Sequence, residues 1–130
     1  MRIFLDANIL FSAALPESRM RAFLEQLSRK ADFLTNAYAI EEARRNLQLK
    51  FPDSLKTLER LAKQCELISQ LAADLTVDLP LKDKPILGGA IGGRATHLLT
   101  GDQRDFGKYW GRTIQGVKVV SPKMLAEEML

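Results

Sequence analysis

Four acidic residues stand where chain physics otherwise disfavours a charge, and carboxylates so placed are able to do chemistry with cations. Asp6 ends the apolar run Ile3-Phe4-Leu5, and Asp102 follows Leu98-Leu99 through Thr100-Gly101. Asp83 opens the segment Pro85-Ile86-Leu87, and Glu42 lies in Ala37-Tyr38-Ala39-Ile40-Glu41-Glu42-Ala43, a helical pattern. Two of the four are strand-terminal and two sit at or near helix starts. In an open parallel α/β sheet, the carboxyl ends of the strands line the ligand crevice. Converging there, the acids would repel one another by ~4 kcal/mol per pair at ~4 Å and an effective dielectric of ~20. A hard divalent cation with oxygen ligands is the natural compensation. Without one, at least one acid should titrate high, because like charges disfavour joint ionisation.

The elements that must position these acids follow from apolar spacing and from cap residues. Ile3 to Leu5 reads as a buried parallel strand. Pro16-Glu17-Ser18 starts a helix to about Arg29, with Met20, Phe23, Leu24 and Leu27 at helical spacing. Residues 32–35 form a second strand, and Asn36 caps a helix from Ala37 to about Lys50. Pro52-Asp53-Ser54 stops that helix and opens another, which turns Leu55, Leu58, Leu61 and Ala62 inward. A third strand spans residues 66–69, and Leu71 to Lys82 is irregular. Asp83 caps a helix with Pro85 in its first turn, running through Ala90-Ile91. Thr96 to Thr100 and Val117 to Val120 are the fourth and fifth strands, and Ser121-Pro122 starts a last helix to Met129. Strands alternate with helices throughout, which predicts an α/β fold with a mostly parallel five-stranded sheet.

Length and composition bound the remaining choices. The 130 residues are expected to form one domain, residues 1–130. A single cysteine, Cys65, makes no internal disulfide, and one cysteine with one histidine builds no zinc site. No stretch approaches the ~20 apolar residues of a membrane span. A charge interrupts the N-terminal apolar run at once, unlike a signal peptide, so a cytoplasmic protein is expected. Net charge is +3; setting the four acids aside leaves 19 basic against 12 acidic residues, or +7 elsewhere. An acidic pocket on a basic surface suits a polyanion that must meet metal ions.

Four segments resemble the PIN domain family. Phe4-Leu5-Asp6-Ala7-Asn8-Ile9-Leu10-Phe11-Ser12 looks like its opening motif, and Asp83-Lys84-Pro85-Ile86-Leu87-Gly88-Gly89-Ala90 is similar to its central Asp-x-x-x-Leu-x-x-Ala segment. Leu98-Leu99-Thr100-Gly101-Asp102-Gln103-Arg104-Asp105-Phe106 resembles its Thr-Gly-Asp motif. Glu41-Glu42-Ala43-Arg44-Arg45-Asn46-Leu47 is similar to the helix carrying its glutamate, in a register that selects Glu42 over Glu41. The four segments occur in the family's order over nearly the whole chain. The resemblance implies a three-layer α/β/α sandwich and a Mg²⁺- or Mn²⁺-dependent ribonuclease whose metal site is Asp6, Glu42, Asp83 and Asp102. It also implies RNA as substrate, a homodimer and, in the VapC-type branch of toxin–antitoxin pairs, a small antitoxin as partner. Phosphodiester hydrolysis through one or two divalent ions needs no histidine base.

Blander roles exist for each residue. Asp6 and Asp83 could be helix caps, Asp102 a turn residue after Gly101, and Glu42 part of a solvated face. Asp105 is either an outer metal ligand or, slightly favoured, a cap for Phe106 to Trp110. Asn8 and Thr100 could steady the acids by hydrogen bonding. His97 and Cys65 read as structural. Gly88-Gly89 and Gly92-Gly93 weaken a helix by roughly 1 kcal/mol each relative to alanine, which close packing against the sheet would offset. Arg44-Arg45 and Arg104 with Lys108 read as solvated faces that could touch phosphates. Phe11, Leu15, Phe51 and Trp110 are the candidates for a dimer patch. The alternative function is a non-catalytic PIN-like module binding RNA or protein; such modules usually lose acids, whereas this chain keeps four. An aspartyl phosphotransfer fold would need a second carboxylate beside the first, which Asp6-Ala7-Asn8 lacks.

Overall fold

A computed structural model describes residues 1–129. Three neighbouring strands supply the centre of the sheet because their residues are apolar on both faces. They are β1 (Arg2–Leu5), β4 (His97–Leu99) and β6 (Val117–Val120). Ile3, Phe4, Leu98, Leu99, Val119 and Val120 are all fully buried, as expected of a parallel sheet covered on both sides. β2 (Asp32–Thr35) and β3 (Glu66–Leu67) extend the sheet past β1, and β5 (Thr113–Ile114) lies beyond β6. The order is β3-β2-β1-β4-β6-β5, parallel except for the β5–β6 pair.

The chain winds one way from β1 to β3, then crosses back to β4. The strand order therefore reverses between β1 and β4, the place where α/β sheets open a crevice. α1 (Ala7–Ala14), α2 (Arg19–Leu27), α3 (Ala37–Lys50) and α4 (Leu55–Lys63) pack on one another over the first half of the sheet. α5 (Lys84–Gly92) is carried by the return crossover and contacts β2 and β4. Right-handed crossovers put it on the opposite face from α1–α4. Side-chain alternation along β1 agrees: Leu5 lines the groove between α2 and α4, while the Phe4 ring lies against Gly89 of α5. α6 (Gln103–Phe106) and α7 (Pro122–Met129) complete the chain. None of the described helices is long and apolar enough to cross a membrane.

The expected sheet needs one more strand. β5 joins β6 through a two-residue turn, Gln115-Gly116, both with positive φ (49° and 90°), as a tight antiparallel hairpin requires. A helix was also unanticipated: α1 begins one residue after β1 and is apolar on nearly every side. The glycine pairs of α5 meet more than the sheet. A Cβ on Gly92 would lie 2.6 Å from the Gln70 carbonyl oxygen and one on Gly88 would lie 2.9 Å from that of Ala72, while Gly89 sits on Phe4 and the Asn36 amide. These contacts seat α5 directly on the irregular strap that leads to Asp83, and Ala72 N–H donates to the Gly88 carbonyl at 3.0 Å. Of the proposed dimer patch only Phe51 is exposed; Phe11, Leu15 and Trp110 pack against the core. Phe11 meets Phe51 edge-on with ring centroids 6.0 Å apart. Large apolar side chains instead reach solvent at Tyr38, Leu49, Leu67, Leu71 and Leu81.

Candidate metal centre at the carboxyl edge of the sheet

Each acid owes its place to a strand end or a helix start. Asp6 follows the last residue of β1, and its N–H continues the ladder to the Leu99 carbonyl at 3.1 Å. It caps α1: one carboxylate oxygen accepts from Ala7 N–H at 2.6 Å. The other accepts from the Thr100 hydroxyl at 2.8 Å and from the Asn8 amide at 3.2 Å. Asp6 is only 3% exposed, and burial pushes its carboxyl up to about 6. The bonds from Thr100 and Ala7 hold that rise back, and the charge of Glu42 adds to it.

Asp102 comes three residues after β4 and caps α6, with Oδ1 accepting from Asp105 N–H at 3.0 Å. Its own N–H donates to the Thr100 hydroxyl oxygen at 3.1 Å. Thr100 thus ties the Asp6 carboxylate to the turn that carries Asp102. Asn8 reinforces the link: its carbonyl oxygen accepts from Gly101 N–H at 2.7 Å. The Trp110 indole donates to the Thr100 carbonyl at 3.3 Å, a support that the sequence reading did not assign.

Asp83 is different in kind. It closes a 3-10 turn, Leu81–Asp83, that runs straight into α5, and its side chain caps nothing. The expected N-cap role is therefore corrected. Asp83 is 6% exposed, and its Oδ2 is buried with no hydrogen-bond partner among the described residues. One oxygen from each of Asp83, Asp102 and Asp105 lies within 4.8 Å of the other two. Desolvation pushes the Asp83 carboxyl up to about 7, helped by its hydrogen bond with Asp105 and by the charges of Asp105 and Asp102. Asp105 moves the other way, held down first by its bond with Asp83 and then by Lys82. The two neighbouring carboxyls are thus pushed in opposite directions, Asp83 upward and Asp105 downward. Two acids thus titrate high, but burial, more than like charge, is the main cause for both.

The sequence leaves two roles open to Asp105, an outer metal ligand and a cap for the segment after it. It lies inside α6, whose cap is Asp102, and its carboxylate joins the acidic group. Glu42 stands on α3 outside the close group of three, near enough for its charge to act on Asp6. Glu41 turns aside and pairs with Arg44. The start of α3 is fixed relative to α5 by Asn36, which caps α3 through Ala39 N–H at 3.1 Å and donates to the Pro85 carbonyl at 3.1 Å. Lys82, also unassigned from sequence, lies over the group with its ammonium 3.2 Å from Asp105 Oδ2. His97 bonds to Glu128 at 2.9 Å and takes no part. Cys65 is half-buried, with its thiol pushed up to about 11 by burial.

This edge of the sheet is also where comparison with known proteins becomes informative. No family model matches the chain, and no curated protein matches it. Solved structures do. VapBC2 from Rickettsia felis, solved bound to a DNA fragment from its promoter, contains a chain that matches with a TM-score of 0.68. The match covers 93% of this chain and 98% of that one, at 18% identity. FitAB bound to an IR36 DNA fragment matches with a TM-score of 0.60, over 92% of this chain and 94% of the other, also at 18% identity. The fold is shared with both. At that identity the likeness is one of architecture, and the chemistry must be argued from the side chains.

Thr100 gives a direct test of how the site is held. Thr100→Val keeps the shape but removes the buried donor to Asp6 and the acceptor for Asp102 N–H. Loss of such a supporting contact should lower divalent-ion affinity by ~10–100-fold and stability by ~1–3 kcal/mol. Manganese titration together with a thermal melt measures both; an unchanged affinity would show that Thr100 supports the fold alone.

Proposed function

We propose that the chain is a PIN-like, divalent-metal-dependent ribonuclease. The observation that carries this reading is the orphaned Asp83 carboxylate. A buried carboxylate oxygen without a hydrogen-bond partner among the described residues, on a residue grouped with two more acids, is costly to a protein that leaves it so. The donor set is all oxygen and anionic, which fits Mg²⁺ or Mn²⁺. Asp83, Asp102 and Asp105 would hold the ion, with Asp6 and Glu42 as the adjoining acids. Bound there, such an ion supplies a water of lowered pKa and neutralises a non-bridging phosphate oxygen. The chain's own part is positional. Thr100 and Asn8 fix the direction of Asp6, and the α6 cap fixes Asp102. Asp83, whose carboxyl titrates high, would have to be deprotonated to act as a ligand.

The two structural neighbours are named as pairs, VapBC2 and FitAB, and each was solved on DNA. Together with the VapC-type motifs, this supports a narrower role as a toxin held by a small antitoxin. An arginine of that partner would compete for the centre through a bidentate guanidinium–carboxylate pair. Asp102 is the carboxylate open to it, since both Asp6 oxygens are already engaged and Asp105 is paired with Lys82. A homodimer would draw on the exposed Tyr38, Leu67 and Leu71 and, of the residues anticipated from sequence, on Phe51.

The test is cleavage of single-stranded RNA with Mg²⁺ or Mn²⁺ and with EDTA. Activity should need the divalent ion and should vanish in Asp102→Asn prepared identically. Cleavage that survives chelation, or that persists undiminished in the variant, would refute the proposal.

A further inference from the structure

The acid centre has a contradiction built into it: it must admit a polyanion past several carboxylates. A cation already stands at its rim. The 3-10 turn Leu81–Asp83, closed by Asp83 N–H donating to the Pro80 carbonyl at 2.9 Å, buries Asp83 and leaves the preceding side chain, Lys82, 66% exposed. The Lys82 ammonium reaches Asp105, whose side chain is 12% exposed, at 3.2 Å. Among the described residues this is its one ionic partner. Arg104 also bears on Asp105 by charge, but forms no carboxylate pair among those residues.

We propose that Lys82 is a substrate-binding residue, leaving Asp105 to hold an RNA phosphate at the entrance to the acid centre. This rests on the ribonuclease reading and adds to it the group that receives the substrate. Three observations carry it. First, the Lys82 side chain stands largely in solvent, where its pairing is screened and weak, so exchanging one anion for another costs little. Second, a cation entering among Asp83, Asp102 and Asp105 takes up the negative charge that now draws the ammonium inward, and frees it to face outward. Third, lysine is a compact charge with three donors on a flexible stem, suited to a phosphate whose orientation varies along a single strand. A merely structural counter-ion to the acids would behave differently: its removal would leave RNA affinity as it was.

The experiment measures binding of a short fluorescein-labelled oligouridylate by anisotropy in Ca²⁺, with the RNA checked for integrity on a gel. Wild type, Lys82→Ala and Lys82→Arg are compared between about 50 and 200 mM salt. Loss of one phosphate contact to a single strand should reduce the slope of log affinity against log salt by about 0.7 and weaken binding about fivefold near 0.1 M salt. Lys82→Arg should restore both. Affinity for Mn²⁺ alone, read by titration without RNA, should not fall in Lys82→Ala, since a competing cation has been removed. If wild type binds Mn²⁺ and RNA while Lys82→Ala matches it in affinity and slope, the Lys82 proposal falls and the ribonuclease reading stands. If wild type binds neither, both fall.

Discussion

Asp83→Asn should bind Mn²⁺ at least about 100-fold more weakly than the wild type and should lose RNA cleavage with it. Removal of a residue that only orients a metal ligand costs 10–100-fold, and Asp83 is placed as a ligand itself. Its Oδ2 is buried and has no hydrogen-bond partner among the described residues, and one of its oxygens lies within 4.8 Å of oxygens of Asp102 and Asp105. The substitution should leave the fold intact. Asparagine has nearly the same shape, and its amide can donate to the neighbouring Asp105 carboxylate. Two readouts separate the effects: Mn²⁺ titration for the centre and circular dichroism for the fold. Tight Mn²⁺ binding by a folded Asp83→Asn protein would remove Asp83 from the centre and reassign the ion to other groups.

The parts of this fold that were legible from sequence are those where burial and local chemistry agree. β1, β4 and β6 are apolar almost throughout, broken only by end residues and Lys118, so they stand out as short buried runs. The caps at Asn36 and Ser121 make the bonds that their residue types predict, to Ala39 and Met124. α1 escaped because periodicity needs a polar face to contrast with: Ala7, Ile9, Leu10, Ala13 and Ala14 are all buried, and helices cover it from several sides. β5 escaped because it is two residues long and its turn carries Gln115 where asparagine or aspartate gives the stronger signal.

The acids were found one at a time, by their positions at strand ends and helix starts, and that rule places residues without saying what their side chains spend themselves on. Asp6 and Asp102 each commit an oxygen to a helix cap, whereas Asp83 commits none, because its turn flows into α5 without a break. Nothing local in the sequence marks that difference. Of the two roles open to Asp105, the cap is ruled out because Asp102 already fills it. Lys82, Trp110 and the Asn36–Pro85 bond depend on contacts between segments far apart in the chain, which spacing cannot report.

In EDTA the protein should lose stability as pH rises from about 4 to 7. Both Asp6, at about 6, and Asp83, at about 7, have folded-state values above their ordinary value of 3.8. Across that interval the folded state therefore holds more protons than the unfolded state, and the linkage slope is negative. For Asp6, a rise of about 2 units corresponds to ~3 kcal/mol. Asp83 acts in the same direction, its contribution shared with Asp105. Carboxyls held below their ordinary values of 3.8 and 4.5, at Asp105, Glu66 and Glu128, lose their stabilising effect as pH falls through those values, at the foot of this window. The melting temperature should accordingly drop by roughly 5–10 °C between pH 5 and 8. Divalent ion should reverse the trend. Its ligands must be deprotonated, so binding strengthens with pH, and saturation at ~100 times Kd restores about 2.7 kcal/mol. Thermal melts at several pH values, with EDTA and with Mn²⁺, read both effects. A melting temperature in EDTA that climbs from pH 5 to 8, or a Mn²⁺ increment larger at pH 5 than at pH 8, would mean that the buried acids are not the groups that balance a cation.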